Sequence, residues 1–548
     1  MSAGMMLFAR LVLLVCLAGC TSGSFGDQGP AMTTGEWEPG SVLIRFATTQ
    51  PVLIAETERR VGVTHVRTLS DGRYALFRAP ANADVQRLVA AAKSLPFVQH
   101  AQPNYTYRAL WQPNDPSYPF QWGLPAIRWE QAMDIYRGRS DVRVAIVDTG
   151  VRSDHPDLWL NIGPGWNTIQ NNTNTADDNG HGTMVAGIVG AMTDNGQGVA
   201  GTAPNVKLIP LKALDQFAQG TTTDVREAIQ WATTNGCHVI NLSLGGPVHD
   251  PAVEEACNAA WDAGVVLVGA AGNSAASWPM YPAAYEVVID VGATSPGDLR
   301  WPWSQFNWGV DQFVDVAAPG DGILSTLSDG AYGIDSGTSY AAPFASGLAA
   351  LLYGARAHDL PNVPRTRAHA TAVRSYIEQN ADAIGDWVRF GRVNAYHALL
   401  RATRATVRGT ISLPGHLNPQ SILVVASLMN GSMPVESLAF FPGDGGSFDL
   451  LFQSGGEYDI RFQTPGKPFL ARRLVGQSVA VGEVLDGLSV SLPGGDANRD
   501  AVVDLADLTL VLINFDKASA SLDLDGSGRV DIGDITMVLV SFAKTADP

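Results

Sequence analysis

Four residues of this chain have the types and settings that nucleophilic acyl chemistry requires. Asp148 closes the apolar run "VRVAIVDTG", His181 sits in "DDNGHGTMVAGIVG", Asn273 in "GAAGNS" and Ser339 in "GTSYAAPFASG". Taken singly, each is an ordinary turn, loop or helix-cap residue. As a set they complement one another. Serine is a poor nucleophile until a histidine removes its proton, and that histidine needs a carboxylate to fix its tautomer and stabilise its charge. The tetrahedral intermediate carries an oxyanion, for which the Asn273 amide and the Ser339 backbone N–H, at a helix start, are suitable donors.

The elements that must position these groups are legible around them. Between residues 142 and 356, strand-like runs ("VRVAIVDTG", "VKLIPLKAL", "HVINLSLGG", "GVVLVGAAGN", "EVVIDVGAT", "FVDVAAPG") alternate with helical runs such as "TTDVREAIQWATTNG" and "PAVEEACNAAWDAG". Continuous Val/Ile/Leu runs without alternation suit strands buried on both faces, hence an α/β fold with a parallel sheet between helices. The site of such a sheet lies beyond the carboxyl ends of its strands, and the four residues stand at strand ends or loop-to-helix entries of this unit, so they can converge there. The chain order Asp, His, Ser excludes the α/β-hydrolase and chymotrypsin orders, and no G-x-S-x-G elbow surrounds Ser339.

The chain of 548 residues is too long for a single core. With 46% hydrophobic and 16% charged residues it has globular composition, and a net charge of -17 argues against nucleic acid as the main partner. Residues 1–20, "MSAGMMLFARLVLLVCLAGC", place one Arg before a short apolar stretch and read as an export signal. Their ending resembles a bacterial lipobox, which implies lipid on Cys20 and a possible lipoprotein precursor; an ordinary signal peptide is the alternative. Residues 21–35 read as a tether and 36–110 as a small α+β unit with one helical run, "ADVQRLVAAAKSL". Residues 405–494 show short alternating strands with Pro-Gly and Gly-Gly turns, a β-sandwich pattern resembling carboxypeptidase-regulatory, transthyretin-like modules. Cys237 and Cys257 are the body's two cysteines, either a disulfide or a pair of buried thiols.

Residues 112–400 strongly resemble the subtilisin-like serine proteases, the subtilase family. "VAIVDTGV", "NGHGTMVAG", "INLSLGG", "GAAGN" and "GTSYAAP" match the family's Asp, His, substrate-strand, oxyanion and Ser motifs in order. Two positions depart from the commonest pattern: Met184, where His is frequent, and Tyr340, where Met is frequent. The resemblance implies an exported serine endopeptidase, with Asp148, His181, Ser339 and Asn273 as catalytic residues. It also implies that Ser243, Leu244, Gly245 and Gly272 bind an extended polypeptide substrate by β-augmentation. No Asp or Glu lies between Asn273 and Tyr285, which favours apolar or broad specificity. The 36–110 unit resembles the family's inhibitory propeptide, to be cut between about residues 105 and 116 by the enzyme itself. Such a cut would part the protease from any lipid on Cys20. The competing class is a catalytically silent protein that keeps the fold as a calcium-dependent binding or attachment module.

The last segment, 495–548, repeats itself with an offset of 27 residues. Asp496, Asn498, Asp500, Asp504 and Asp507 recur as Asp523, Asp525, Ser527, Asp531 and Asp534. These are loop positions 1, 3, 5, 9 and 12 of an EF-hand-like Ca²⁺ site, with the position-7 carbonyl expected from Val502 or Arg529. Each loop leads into an apolar helix, and residues 493–548 carry ten aspartates against four Lys or Arg. The segment resembles a dockerin, implying a small all-α calcium-binding module and a cohesin-like partner. Leu505-Ala506 and Ile532-Gly533 stand where cellulosomal dockerins often carry Ser-Thr, so a calcium-stabilised adhesion or attachment module with a cell-surface partner is the rival reading. "PNDP", "HPDL" and "TDNGQGVAG" resemble the calcium loop of thermitase-like subtilases. The resemblance implies ligation by Asp115, Asp157 and Asn195, with carbonyls from Met192, Gln197 and Val199.

Overall fold

The computed structural model describes residues 37–47, 50–79, 85–105, 112–357, 365–465, 467–519 and 521–546. The export segment, Cys20 and residues 106–111 of the expected cleavage region lie outside the described residues. The chain divides into two compact units.

The first unit is a four-stranded antiparallel sheet. Its strands run in the order Thr64–Thr68, Tyr74–Arg78, Trp37–Phe46, Val98–Tyr105. Val42, Ile44, Phe46, Phe77 and Leu88 form its interior, with the helix Val85–Lys93 packed on the sheet. A second helix, Pro51–Thr57, stands beside the one expected. Its sequence "PVLIAET" opens with a β-branched and aliphatic run that resembles a strand, but Pro51 at its first turn is preset for a helix.

The second unit contains a nine-stranded sheet with eight strands in one path. Their order is Gly391–Arg392, Val316–Pro319, Val288–Ser295, Val266–Ala270, Val239–Leu242, Arg143–Asp148, Lys207–Lys212, Trp166–Asn167. All neighbours on this path are parallel. The six strands expected from sequence are its centre; the two-residue edges are too short to leave a pattern. The helix His181–Gly190 packs against Thr338–Ala357, and Thr222–Thr234 against Pro251–Asp262. Cys237 and Cys257 are free and fully buried, and burial pushes both thiols up to about 12.

Beyond this layer, sheets of three and four strands, Ala405–Ser412 to Val484–Ser491, form a sandwich around Val407, Leu428, Leu450, Ile460 and the adjoining rings of Phe440, Phe448 and Phe462. The helices Leu505–Ile513 and Ile532–Ser541 of the tail contribute Val511, Met537 and Val538 to the same core. Among the described residues no helix is long and apolar enough to cross a membrane.

Candidate active site

Asp148 is the last residue of its strand and is fully buried. Its Oδ1 accepts hydrogen bonds from the Thr149 N–H at 2.7 Å and from His181 Nδ1 at 2.8 Å. His181 opens the helix His181–Gly190, which approaches the Asp148 strand very closely. A Cβ on Gly182 would lie 2.1 Å from the Gly150 carbonyl oxygen and 3.1 Å from Asp148 Cβ, so only glycine fits there.

The loop carrying His181 is tied down by Asp177, a residue the sequence analysis did not single out. Asp177 Oδ1 accepts from the Thr149 hydroxyl at 2.8 Å and the Gly180 N–H at 2.8 Å, while Oδ2 accepts from the Thr183 N–H at 2.9 Å. The acid two residues before "NGHG" was the available signal. Burial pulls the His181 imidazole down, but the charge and hydrogen bond of Asp148, with Asp177 and Asp335 behind, outweigh it and leave the net shift upward. Tyr340 packs its ring 5.5 Å from that of His181 and donates its hydroxyl to Asp335 at 2.6 Å.

Ser339 is the second residue of the helix Thr338–Ala357. Its hydroxyl donates to the Ser243 carbonyl at 3.3 Å; among the described residues it makes no hydrogen bond to His181. Catalytic contacts of this kind commonly tighten only once substrate is in place. Asn273 Oδ1 accepts from both the Thr338 N–H at 2.9 Å and the Thr338 hydroxyl at 2.8 Å. That fixes the amide with Nδ2 free of any acceptor among the described residues, as an oxyanion donor requires. Thr338, which beside a serine reads as a mere cap, thus orients Asn273.

Ser243 is bound to the Ser339 helix by a buried relay. Ser346 Oγ donates to Asn241, Asn241 Nδ2 to Ser243 Oγ, and Ser243 Oγ to the Ser339 carbonyl, at 2.8, 2.9 and 2.7 Å. Beside Ser243, Leu244 and Gly245 runs a groove of about 520 Å³ that reaches His181 and is walled by Leu214, Val225, Val253 and Tyr285. Gly272 is not among the residues that line this groove. Its N–H donates to the Thr338 hydroxyl and its carbonyl accepts from Gln305, both at 3.0 Å.

Two clusters of carboxylates gather in the tail: Asp496 with Asp500 and Asp507, and Asp523 with Asp525 and Asp534, each with oxygens within 4.8 Å of one another. Asp504 and Asp531 stand apart as helix N-caps, accepting the N–H groups of Ala506 and Gly533 at 2.7 Å. Asn498 Oδ1 accepts from the Asp500 N–H, and Val502 N–H donates to Asp500. Ser527 Oγ donates to the Arg529 carbonyl at 3.0 Å and lies 3.4 Å from oxygens of both Asp523 and Asp531.

In the peptidase layer, Asp157 accepts from Asn195 Nδ2 at 2.6 Å and from the Val199 N–H at 2.9 Å. Met192 N–H donates to the Asp157 carbonyl, and Gln197 N–H to Asn195 Oδ1. Burial, with the charge of Asp115 behind it, pushes Asp157 up to about 6. Asp115 Oδ1 is buried with no hydrogen-bond partner among the described residues. Two buried carboxylates with an unpaired oxygen fit a hard cation.

The geometry agrees with comparisons against known proteins. Residues 139–405 match the subtilase family, and residues 29–104 match the fervidolysin N-terminal prodomain. The chain is 38% identical over 370 residues to the thermophilic serine proteinase of Bacillus sp. (strain AK1), covering 67% of this chain and 88% of that protein. It is 41% identical over 291 residues to thermitase of Thermoactinomyces vulgaris, covering 52% of this chain and 99% of thermitase. Subtilisin DY of Bacillus licheniformis is 38% identical over 276 residues, covering 50% of this chain and 94% of that protein. The chain belongs to the subtilase family. It is a subtilisin-like serine endopeptidase made with an N-terminal propeptide.

Proposed function

We propose that this peptidase is exported, hydrolyses peptide bonds through a Ser339 acyl-enzyme, and removes its own propeptide. The observation that carries the mechanism is the 2.8 Å hydrogen bond between Asp148 and His181, which lines the groove together with Ser243, the residue whose carbonyl accepts the Ser339 hydroxyl. His181 takes the Ser339 proton as Oγ attacks the scissile carbonyl, with Asp148 stabilising the imidazolium. Asn273 Nδ2 and the Ser339 N–H receive the oxyanion. His181 then protonates the leaving amine, and water repeats the sequence in reverse to release the acid. The substrate lies extended along Ser243–Gly245. Apolar or broad specificity is supported by the groove's walls. Its one acidic lining residue, Asp250, is already engaged by the Ala252 N–H, the Val253 N–H and the Thr222 hydroxyl.

Calcium has a structural part in this reading. Asp496, Asn498, Asp500, Val502, Asp504 and Asp507 would hold one ion, and Asp523, Asp525, Ser527, Arg529, Asp531 and Asp534 a second, Val502 and Arg529 through their carbonyls. Asp115, Asp157 and Asn195, with the carbonyls of Met192, Gln197 and Val199, would hold a third. A dockerin-like attachment role for the tail is supported by a repeated exposed face. Leu505, Leu512, Ile513 and Phe515 are exposed, and so are their counterparts 27 residues on, Ile532, Leu539, Val540 and Phe542. Such a face suits a cohesin-like or cell-surface partner.

The test combines active-site labelling with mass spectrometry of the product. Wild type should react with a fluorophosphonate at Ser339 and accumulate a form starting between about residues 105 and 116. Ser339→Ala should do neither and keep its leader. A silent binding protein would show no label in wild type. Equal trimming of both forms in a protease-free host would refute self-processing, and the mature N-terminus also reports any lipid on Cys20.

A further inference from the structure

The turn that carries Asn273 is one half of a larger, hydrogen-bonded platform. Gln305, itself fully buried, stitches residues 272–278 to residues 299–308. Its N–H donates to the Gly272 carbonyl at 3.0 Å. Its Oε1 accepts the N–H groups of Ser274 and Ala276 at 3.1 Å, and its Nε2 donates to the Trp278 carbonyl at 3.3 Å. Two backbone bonds, Ala275 N–H to Trp303 O at 2.8 Å and Phe306 N–H to Ala276 O at 3.1 Å, close the seam. The next turn is equally fixed, because the Asn307 side chain pairs with both the N–H and the carbonyl of Val314 at 2.9 and 2.8 Å.

The large side chains this platform shows to solvent are apolar, with Ser274, Asp311 and Gln312 exposed among them. Trp278, Trp303 and Trp308 are 54%, 60% and 73% exposed, Leu299 is 68% and Val310 is 95% exposed. Tryptophan is normally well buried, so three held open on a rigid support call for a cause. The neighbouring cation is already used: Arg300 stacks over Phe306 at 4.6 Å and donates to the Ser304 carbonyl at 2.8 Å. Rigid, exposed indoles lose little entropy on binding and carry much of the energy where they are used.

We infer that Trp278, Trp303, Trp308 and Val310 form an accessory substrate shelf, which holds an apolar, aromatic-bearing stretch of the polypeptide chain outside the catalytic groove. The occupant is identified by continuity. Trp303 is bonded through its carbonyl to Ala275, two residues from Asn273, which puts the shelf within reach of a long chain being cut at Ser339. This rests on the reading of Ser339 and Asn273 as the reaction centre. The shelf would favour long, unfolded apolar chains over short peptides of the same cleavable sequence.

The test compares the double variant Trp303→Ser/Trp308→Ser with wild type on two substrates, a tetrapeptide p-nitroanilide and a reduced, carboxymethylated protein chain. The short substrate should be cut at a rate within about twofold of wild type. The KM for the long chain should rise about tenfold at unchanged kcat, a typical loss for interface aromatics. Trp303→Tyr/Trp308→Tyr should restore most of it. In a Ser339→Ala background, a 20-residue aromatic-rich peptide should bind about tenfold more weakly when the shelf is altered. That binding readout stands even if Ser339→Ala proves active, a result that would sink the catalytic reading alone. Equal losses on both substrates, or none on either, overturn the shelf. Lost binding to cellulose or chitin with unchanged polypeptide kinetics also overturns it and assigns the surface to a glycan. A wild-type dimer that the double variant abolishes, again with unchanged kinetics, overturns it in favour of a second copy.

Discussion

Asn273 accepts both hydrogen bonds that Thr338 can give, from its backbone N–H at 2.9 Å and its hydroxyl at 2.8 Å. The residue before Ser339 therefore aims the Asn273 side chain that, in the proposed mechanism, receives the oxyanion. Asn273→Ala should lower kcat by roughly 10²- to 10³-fold with KM little changed. Thr338→Val keeps the shape and removes the hydroxyl bond, and should lower kcat by roughly five- to tenfold, about one hydrogen bond's worth. Steady-state kinetics on a peptide anilide decide it. A defect confined to KM in either variant would place Asn273 outside the oxyanion hole.

The pH profile follows from the environment of His181. The base must be neutral to act, and the Asp148 pair leaves its proton affinity above the ordinary value of 6.5 despite burial. The protonated, inactive form thus persists to higher pH, and kcat/KM should fall on acidification with a midpoint above 6.5. Asp148→Asn removes the charge. It should move that midpoint downward while cutting turnover on the order of 10⁴-fold. An acid limb that stays in place in Asp148→Asn would show that another group governs it.

The candidate reaction centre was legible in sequence because each piece is local. Asp148, His181, Asn273 and Ser339 each follow or precede a short buried run within a few residues, and the Asp-His-Ser order then selects one arrangement. What escaped notice acts across distance or has an ordinary local meaning. Asp177 looks like a surface acid until Thr149 and Thr183 converge on it, and Gln305 like a loop amide until two turns close around it. The strands Trp166–Asn167 and Gly391–Arg392 have no periodicity of their own and exist only through their neighbours.

A second carboxylate pair limits stability at high pH. Asp290 is completely buried beside Asp315, its N–H bonded to Asp315 Oδ2 at 3.1 Å, and both its oxygens lack partners among the described residues. Arg374 and Arg389 reach Asp315 at 3.0 and 3.7 Å. Burial, then the charge of Asp315, pushes Asp290 well above its ordinary 3.8, so the folded chain keeps a proton that the unfolded chain has released. Stability from this group is complete below about pH 3.8 and drains as pH rises toward the folded-state value. Asp290→Asn, neutral at every pH, should raise Tm at pH 8 and leave it nearly unchanged at pH 4. Thermal melts of the Ser339→Ala chain across that range are the check. An equal shift at both ends would make the effect one of packing rather than ionisation.

The two carboxylate loops of the tail are joined to the sandwich, which sets what chelation should do if they hold the proposed calcium. A Cβ on Gly415 or Gly494 would come within 2.4 or 2.3 Å of the Met537 side chain, so the last helix seats that residue in a hollow of the sandwich side. The Leu417 N–H donates to the carbonyl of Asp525, itself a loop acid, at 2.8 Å. Ions that fix the loops would therefore stabilise the sandwich and tail together, by about 2.7 kcal/mol per ion at a hundredfold excess over its dissociation constant. Calorimetry of the Ser339→Ala chain should show one sandwich–tail transition that falls when chelator replaces calcium. Asp507→Asn/Asp534→Asn, which strips one acid from each cluster, should abolish that response while leaving any calcium shift of the peptidase transition intact. Met537→Ala should lower the same transition through a cavity worth about 2–5 kcal/mol. A tail that melts separately from the sandwich, or melts alike with and without chelator, would break the link between the ions and this shared core.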